Sequence, residues 1–202
     1  MIKSKINQYG VIGLLKLSTE LIRTKLLFSK ARIVRFPIDI RGRKFIKVSN
    51  GFTSGRNCRL EAYPTDNRSV VISFGENVQI NDFVHITAME NVSIGNNVLM
   101  ACKIYISDCS HGSYDGDAND SYPELPPMER KYRTRPVFIE DNVWIGESVS
   151  VLPGVRIGKN SIIGANSVVT KNIPENSIAV GNPARVIKKY NFETSVWVKI
   201  SE

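Results

Sequence analysis

The sequence predicts an all-β fold, a parallel β-helix, preceded by an α-helical segment. Two observations predict it. The first is a change in the apolar residues: six of the ten leucines lie between Leu14 and Leu27, whereas thirty-eight isoleucines and valines follow Phe28. Leucine favours helices, and branched side chains suit strands. The second is a six-residue repeat, a period that neither a flat sheet nor an amphipathic helix explains.

The N-terminal segment, residues 1–47, is basic and has a helical pattern. It carries twelve Lys or Arg against Glu20 and Asp39, a net charge of +10. Because the whole chain has a net charge of +8, the remaining residues sum to −2. Apolar residues recur at helical spacing between Ile6 and Ile22. We expect this helix to pack on the open end of the β-helix. The alternative is that its basic face rests on anionic membrane lipid.

Length and composition describe one soluble domain: 202 residues, 42% hydrophobic and 23% charged. No run approaches the ~18 apolar residues of a membrane-spanning helix, and no secretory cleavage site follows the apolar N-terminal stretch. Three unclustered cysteines fit neither a disulfide framework nor a zinc site, which favours a reducing cytosol. The basic segment lacks a recognised nucleic-acid-binding pattern, so we expect no nucleic-acid partner.

The repeat is clearest from residue 139, where the chain reads IEDNVW, IGESVS, VLPGVR, IGKNSI, IGANSV and VTKNIP. An earlier block keeps the phase from Phe74 to Ile86, slips by two residues and resumes at Ile94. If each hexad is one short strand plus a corner, three hexads form a coil of about 18 residues that stacks on its neighbours. Glycine and asparagine suit corners at which φ is positive.

These periods place the β-helix at residues 48–190, interrupted by a loop at 107–136 and followed by a C-terminal tail at 191–202. Long excursions from a regular scaffold are commonly functional. This loop contains His111, one of two histidines in the chain. A neutral imidazole is suited to take a proton from a hydroxyl near pH 7, so His111 is the candidate general base.

The hexads, the segment NVWIG at 142–146 and the closing VTKNIPENSIAVGNPARVIKK resemble the left-handed β-helix hexapeptide-repeat acyltransferases. The N-terminal INQYGVIGLLKLSTELIRTKLLF, with GFTSG and QINDFVHI, resembles bacterial O-acetyltransferases of O-antigen and exopolysaccharide synthesis. The resemblance implies a left-handed coil and a homotrimer with coenzyme A in the groove between adjacent prisms. It also implies acetyl transfer from acetyl-CoA to a sugar hydroxyl of a surface polysaccharide or its lipid-linked precursor, without a metal.

The same resemblance assigns roles to individual residues. It implies that His111 is the catalytic base, and that Asn81 and Trp144 contact the acceptor. The residues implied for the coenzyme A groove and its phosphates are Ala165, Thr170, Lys171, Arg185 and Lys188. Relatives that act on small sugars carry an acidic pair where this chain has Ala88 and Met89, which makes a free galactoside or maltose a poorer candidate acceptor.

Several alternatives stay open at this stage. In a second interpretation the acceptor is a small molecule, such as a free sugar, sialic acid, nucleotide-amino sugar or antibiotic. In a third interpretation the prism is a scaffold without catalytic activity. Cys109 is close enough in sequence to His111 to form an acyl-enzyme with its help. Asp108 is close enough in sequence to orient the His111 imidazole. We expect His85 to be a packed or solvent-facing corner residue. A metal-dependent hydratase needs three histidine ligands, and the chain has two histidines.

Overall fold

The computed structural model describes residues 2–65 and 70–200 and shows a prism of stacked coils with three parallel sheets as its walls. The parallel strands of sheet A are Ile33–Val34, Thr53–Ser54, Gln79–Ile80, Leu99–Met100, Trp144–Ile145, Ile162–Ile163 and Ser177–Gly181. Sheet B contains Ile38–Arg41, Cys58–Ala62, His85–Ala88, Tyr105–Ser107, Ser150–Val151 and Val168–Val169. Sheet C contains Ile46–Val48, Ile72–Phe74, Val92–Ile94, Val137–Ile139 and Arg156–Ile157. The predicted parallel β-helix is confirmed.

The chain visits sheets A, B and C in turn, and each circuit is one coil. The first coil begins at Ile33, inside the basic segment that we expected to precede the β-helix. Ile33–Val34 pairs in parallel with Thr53–Ser54, and Ile38–Arg41 pairs with Cys58–Ala62. The hexad spacing is present in this coil, since Val34 lies six residues before Ile40. The coil falls outside the predicted β-helix because its arginines and lysines belong to the basic segment.

One aliphatic residue of each hexad points into the prism. In sheet A the parallel register places Ile80, Met100, Ile145 and Ile163 in one column, and all four are fully buried. Burying such a side chain stabilises the fold by roughly 1.5–3 kcal/mol. A single coil has no neighbour to cover its inner face, so the core forms only when the coils stack.

The corner between sheets C and A is a column of asparagines. Its members all have φ between 54° and 59°: Asn77, Asn97, Asn142, Asn160 and Asn176. Each amide nitrogen donates to the amide oxygen of the next asparagine, at 3.3, 3.2, 3.0 and 2.8 Å along the column. Asparagine tolerates the left-handed conformation, and its side chain adds a ladder of hydrogen bonds outside the sheets.

Helix α1, Ile2–Leu27, leads into the first coil and is interrupted at Gly10, which has a positive φ of 64°. The Thr24 hydroxyl accepts a hydrogen bond from the Val34 amide at 2.8 Å, and the buried Glu20 pairs with Arg56 at 2.6 Å. These contacts fasten the C-terminal half of α1 to the prism, as one of the two interpretations of the basic segment expected. No helix in the described residues is long and apolar enough to cross a membrane.

The opposite end of the prism is closed by antiparallel pairing. After Ser177–Gly181 the chain turns back as Ala184–Asn191 and then forms Val196–Lys199, both added to sheet A. The segment expected as a C-terminal tail therefore contributes a strand. Two short 3-10 helices, Arg43–Phe45 and Pro127–Glu129, and a two-stranded antiparallel sheet in the loop complete the regular structure of the described residues.

Two substitutions of Asn142 distinguish the contribution of the ladder hydrogen bonds to stability from the cost of the left-handed backbone conformation. Both Asn142→Gly and Asn142→Ala remove the amide, but only alanine must hold an L side chain at a φ of 59°. Alanine should be more destabilising than glycine by about 0.5–1 kcal/mol, because left-handed strain of ~1–2 kcal/mol exceeds the ~0.4–1 kcal/mol that glycine adds to unfolded-chain entropy. Urea denaturation measures both free energies of unfolding. A glycine variant no more stable than the alanine variant would contradict this.

Candidate active site

The predicted loop leaves the prism between sheets B and C and is ordered at its base. Cys109–His111 pairs antiparallel with Tyr132–Thr134, which places His111 opposite Tyr132. The chain rejoins sheet C at Val137–Ile139. Because the stem of the loop is a two-stranded ladder, the position of His111 relative to the coil is fixed by backbone hydrogen bonds.

A cavity of about 550 Å³ lies over the outer face of sheet B, and His111 is part of its wall. The imidazole is solvent-exposed and packs against the Tyr132 ring, with 4.6 Å between ring centroids. The other residues lining the cavity are Arg59, Glu61, Tyr63, Thr87, Met89, Tyr105, Ser107 and Cys109. The volume is typical of sites that bind small molecules or one sugar unit.

Asp108 does not orient His111, although it lies three residues before it. The Asp108 carboxylate is fully buried and accepts hydrogen bonds from the backbone amides of Met89, Glu90 and Asn91 at 2.7–3.2 Å. Burial raises the pKa of this carboxyl, while those amides oppose the rise. Asp108 therefore holds the turn that leads from sheet B to sheet C in the preceding coil.

Cys109 lines the cavity, but its thiol is poorly suited to nucleophilic attack. Burial raises the pKa of the Cys109 thiol, and the neighbouring Asp108 adds to the rise. The thiolate is the reactive form of cysteine, so a raised pKa lowers the nucleophilic fraction.

A buried carboxylate, Glu61, organises part of the cavity wall and was not anticipated from the sequence. Its Oε1 accepts hydrogen bonds from Arg59 at 2.7 Å, Arg41 at 3.0 Å and Tyr63 at 3.0 Å. Burial alone would raise the pKa of Glu61, but hydrogen bonds from His85, Arg59 and Tyr63 outweigh it and lower the pKa to about 2. No hexad position signals this cluster, because its members come together only when successive coils stack.

His85 belongs to the same cluster. It lies within the strand His85–Ala88 of sheet B and not at a corner, which corrects the expectation from the sequence. Its Nε2 lies 2.8 Å from Glu61 Oε2, and its ring packs against Tyr105 with 5.4 Å between centroids. Parallel register stacks it on Arg59 of the preceding coil.

A single chain does not gather all the predicted site residues around His111. Asn81, Trp144 and Ala165 lie at or beside the corner between sheets A and B, and none of them lines the cavity. The Asn81 amide donates to the Met100 carbonyl at 2.8 Å, which is ordinary corner chemistry. Trp144 points outward and is 50% exposed.

The remaining predicted residues lie on the last coils. Thr170 and Lys171 follow Val168–Val169 at the corner between sheets B and C, and both are exposed. Thr170 lines a second cavity of about 300 Å³, together with Arg133, Arg135 and other residues at the base of the loop. Arg185 and Lys188 lie on the antiparallel strand Ala184–Asn191. The described residues contain no group of three or more His, Cys, Asp or Glu side chains arranged to hold a metal ion.

Comparison with known proteins agrees with this architecture. The family model described as "Bacterial transferase hexapeptide (six repeats)" matches residues 136–171. A protein of Escherichia coli (strain K12), provisionally named lipopolysaccharide biosynthesis O-acetyl transferase WbbJ, is 43% identical over 199 residues, which cover 98% of this chain and 100% of that protein. The chain therefore belongs to the hexapeptide-repeat family of acyltransferases.

Two solved structures have similar folds. An N-acyltransferase from Bacillus cereus, in complex with dTDP-4-amino-4,6-dideoxyglucose and coenzyme A, matches 86% of this chain and 90% of its own with a TM-score of 0.67 at 20% identity. A galactoside acetyltransferase in complex with coenzyme A matches 89% of this chain and 78% of its own with a TM-score of 0.51 at 28% identity. The predicted left-handed β-helix and enzyme class are confirmed.

The low pKa of Glu61 gives stability a defined dependence on pH. A carboxyl whose pKa is lower in the folded than in the unfolded state stabilises the fold above its unfolded value, near 4.5, and loses that contribution as the pH falls towards 2. Glu61→Gln should therefore be less stable than wild type at pH 7, and the difference should shrink between about pH 4.5 and 2. Urea denaturation across this range measures it.

Glu140→Gln is the matched control. Glu140 pairs with Arg156 on sheet C at 2.7 Å, the distance of the Arg59–Glu61 pair, but the two side chains keep 36% and 49% of their surface exposed. Exposed pairs contribute about 0.2–1 kcal/mol, so this variant should change stability little at pH 7. A loss of stability in Glu61→Gln that stayed constant from pH 7 to 2 would contradict the assignment.

Proposed function

We propose that this chain is an acetyl-CoA-dependent O-acetyltransferase that modifies a sugar hydroxyl of a bacterial surface polysaccharide or its lipid-linked precursor, with His111 as general base. The observation that carries the proposal is the exposed His111 in the wall of a cavity of about 550 Å³, at the base of an ordered loop. The near full-length relative named for lipopolysaccharide biosynthesis supports a glycan of O-antigen or exopolysaccharide type as the acceptor.

The proposed reaction is direct transfer in a ternary complex. His111 accepts the proton of the acceptor hydroxyl as its oxygen attacks the thioester carbonyl of acetyl-CoA. The carbon–sulfur bond breaks, and coenzyme A leaves as a thiolate that takes the proton back from His111. A backbone N–H would stabilise the negative oxygen of the tetrahedral intermediate. The raised pKa of the Cys109 thiol supports this route over an acyl-enzyme.

Acetyl-CoA is the proposed co-substrate, in line with the two similar structures, which are complexes with coenzyme A. The last coil supplies cations for its phosphates: strand register places Lys188 beside Lys199, and Arg185 is exposed on the same strand. Cationic side chains suit phosphate groups. Thr170 and Lys171 would border the pantetheine arm one coil below.

We also propose that the enzyme is a homotrimer. His111 lies beyond sheet B, whereas Asn81, Trp144 and Ala165 lie at the opposite edge of that sheet, so a complete site needs a second copy of the chain. The edge with Trp144 also exposes Leu99, stacked beside it in register, which suits contact with another protomer. A monomer mass from light scattering at assay concentration would overturn this part of the proposal.

Transfer of labelled acetyl from acetyl-CoA into isolated host glycan fractions, lipid-linked and polymeric, tests the function. Wild type should label glycan with an ester that resists mild acid and is released by mild base. His111→Ala should transfer acetyl about 10²–10⁴-fold more slowly than wild type, since a general base usually contributes that factor to the rate. The variant should keep wild-type coenzyme A binding and thermal stability.

Other outcomes of the same assay point elsewhere. Label in neither glycan fraction, with coenzyme A still bound, would indicate a small acceptor instead. Failure of the wild type to bind coenzyme A would favour a scaffold without catalysis. Acetylated Cys109 in rapidly quenched enzyme, detected by mass spectrometry of peptides, would contradict direct transfer.

A contact between α1 and the cytoplasmic face of the inner membrane is part of the proposal. Val11, Leu15, Ile22 and Leu26 are 64–85% exposed, and their spacing of four, seven and four residues aligns them on one helix face. Lys16 follows Leu15 directly, beside this stripe, in a segment with a net charge of +10. An apolar stripe flanked by cations suits an anionic lipid surface, where a lipid-linked acceptor would be found.

Cosedimentation with vesicles tests the contact. The full chain should pellet with phosphatidylglycerol–phosphatidylcholine vesicles, and the double variant Leu15→Glu/Ile22→Glu should pellet at least tenfold less, since glutamates remove apolar area and repel anionic lipid. The control is Val196→Glu, which changes a residue of 51% exposure at the other end of the prism. Equal pelleting of the stripe variant and wild type would refute the contact.

A further inference from the structure

The outer face of sheet B has a cluster of polar side chains around one buried carboxylate. Three carboxylates are buried in the described residues: Glu20, Glu61 and Asp108. Glu20 fastens α1, and Asp108 holds a turn by accepting backbone amides. Glu61 differs from both, because it lies on the outer face of a sheet and several side chains converge on it.

The partners of Glu61 come from three successive coils. Arg41 belongs to the first coil, Arg59 and Tyr63 to the second, and His85 and Thr87 to the third; Glu61 Oε2 accepts from Thr87 at 3.2 Å. A carboxylate offers about four lone-pair positions, so these five donors saturate it. Glu61 is therefore unable to take a proton from a substrate or to bind one directly. What Glu61 can do is hold in place the side chains that are hydrogen-bonded to it.

Three of those side chains face the same cavity as His111. Arg59, Tyr63 and Thr87 line it, and Glu61 lies beneath them with 6% of its side chain exposed. The Arg59 side chain keeps 43% exposure, so part of it remains accessible to a ligand, although its Nε is buried. Side chains locked by a buried partner present donors in one geometry, as precise recognition requires.

The cavity also supplies aromatic surfaces. Tyr105 and Tyr132 are 38% and 49% exposed and line it, and each packs against a histidine, His85 and His111 respectively. A tyrosine ring offers a rigid apolar face with a polar tip, which suits the mixed C–H and hydroxyl surface of a pyranose. The cavity thus combines apolar faces, fixed donors and the candidate base.

We infer that the acceptor sugar binds over the outer face of sheet B, and that Glu61 is a positioning residue that holds Arg59 and Tyr63 for contact with its hydroxyls. This inference rests on the proposed function and adds to it the side of the site at which the acceptor enters. Acetyl-CoA then approaches from the last coils, where Thr170 and the basic strand Ala184–Asn191 lie. The substrate class is a pyranose unit, recognised through hydroxyl donors and ring faces.

Steady-state kinetics with the glycan fraction that accepts label tests the inference. Glu61→Gln should raise the KM for the glycan about tenfold, since a charge-assisted hydrogen bond contributes enough to change affinity by that factor. The KM for acetyl-CoA should stay within twofold of wild type. Glu61→Asp keeps the charge and should restore part of the affinity for the glycan.

Glu140→Gln is the control, because it breaks an arginine–glutamate pair of equal length on sheet C, outside the cavity. Both KM values should equal those of wild type. If Glu61→Gln fails to fold, Arg59→Gln tests the same wall, since it changes a side chain that is 43% exposed and leaves Glu61 with its other four partners. It should give the same selective rise in glycan KM.

The outcomes separate the two levels of the argument. An unchanged glycan KM in Glu61→Gln and Arg59→Gln, with active wild type, would overturn the acceptor subsite alone. Equal rises in both KM values would also overturn it, since they would indicate general distortion. Absence of transfer by wild type to any glycan fraction would overturn the proposed function together with the subsite.

Discussion

The parallel register of the coils is the constraint on which the rest of the structure depends. Most inward positions of a sheet hold an aliphatic side chain that covers its counterparts above and below, as Ile80, Met100, Ile145 and Ile163 do. A shift of one residue in any coil would exchange inward and outward side chains. The same register that builds the core therefore aligns the outward residues, and every site on the surface inherits its geometry from it.

This constraint explains which features were predictable from the sequence. The inward position accepts few residue types, so the six-residue period identifies the fold and the point at which the loop departs. Outward positions have no such restriction. Glu61 and His85 are twenty-four positions apart in the sequence and lie on adjacent coils. The six-residue period does not indicate that either residue makes this contact.

Other departures have separate physical causes. The first coil keeps the six-residue spacing between Val34 and Ile40, but it lies in the basic segment, and the change in charge at residue 47 set that segment apart from the β-helix. Asp108 was a plausible partner of His111 by proximity in sequence, but the alternation of side chains along an extended chain sends it inward, to the amides of the coil below. The candidate base was found from the residue type and the loop, and its surroundings required the structure.

The two closed ends of the prism fix its length. Helix α1 is fastened to the first coil, and the antiparallel strands after Ser177–Gly181 end the parallel stacking of sheet A. His111 departs from the fourth coil, three strand spacings, or about 14 Å, from the first. The number of coils between them sets this distance: adding or deleting one whole coil would move His111 relative to α1 by about 5 Å without altering the wall in which it is set.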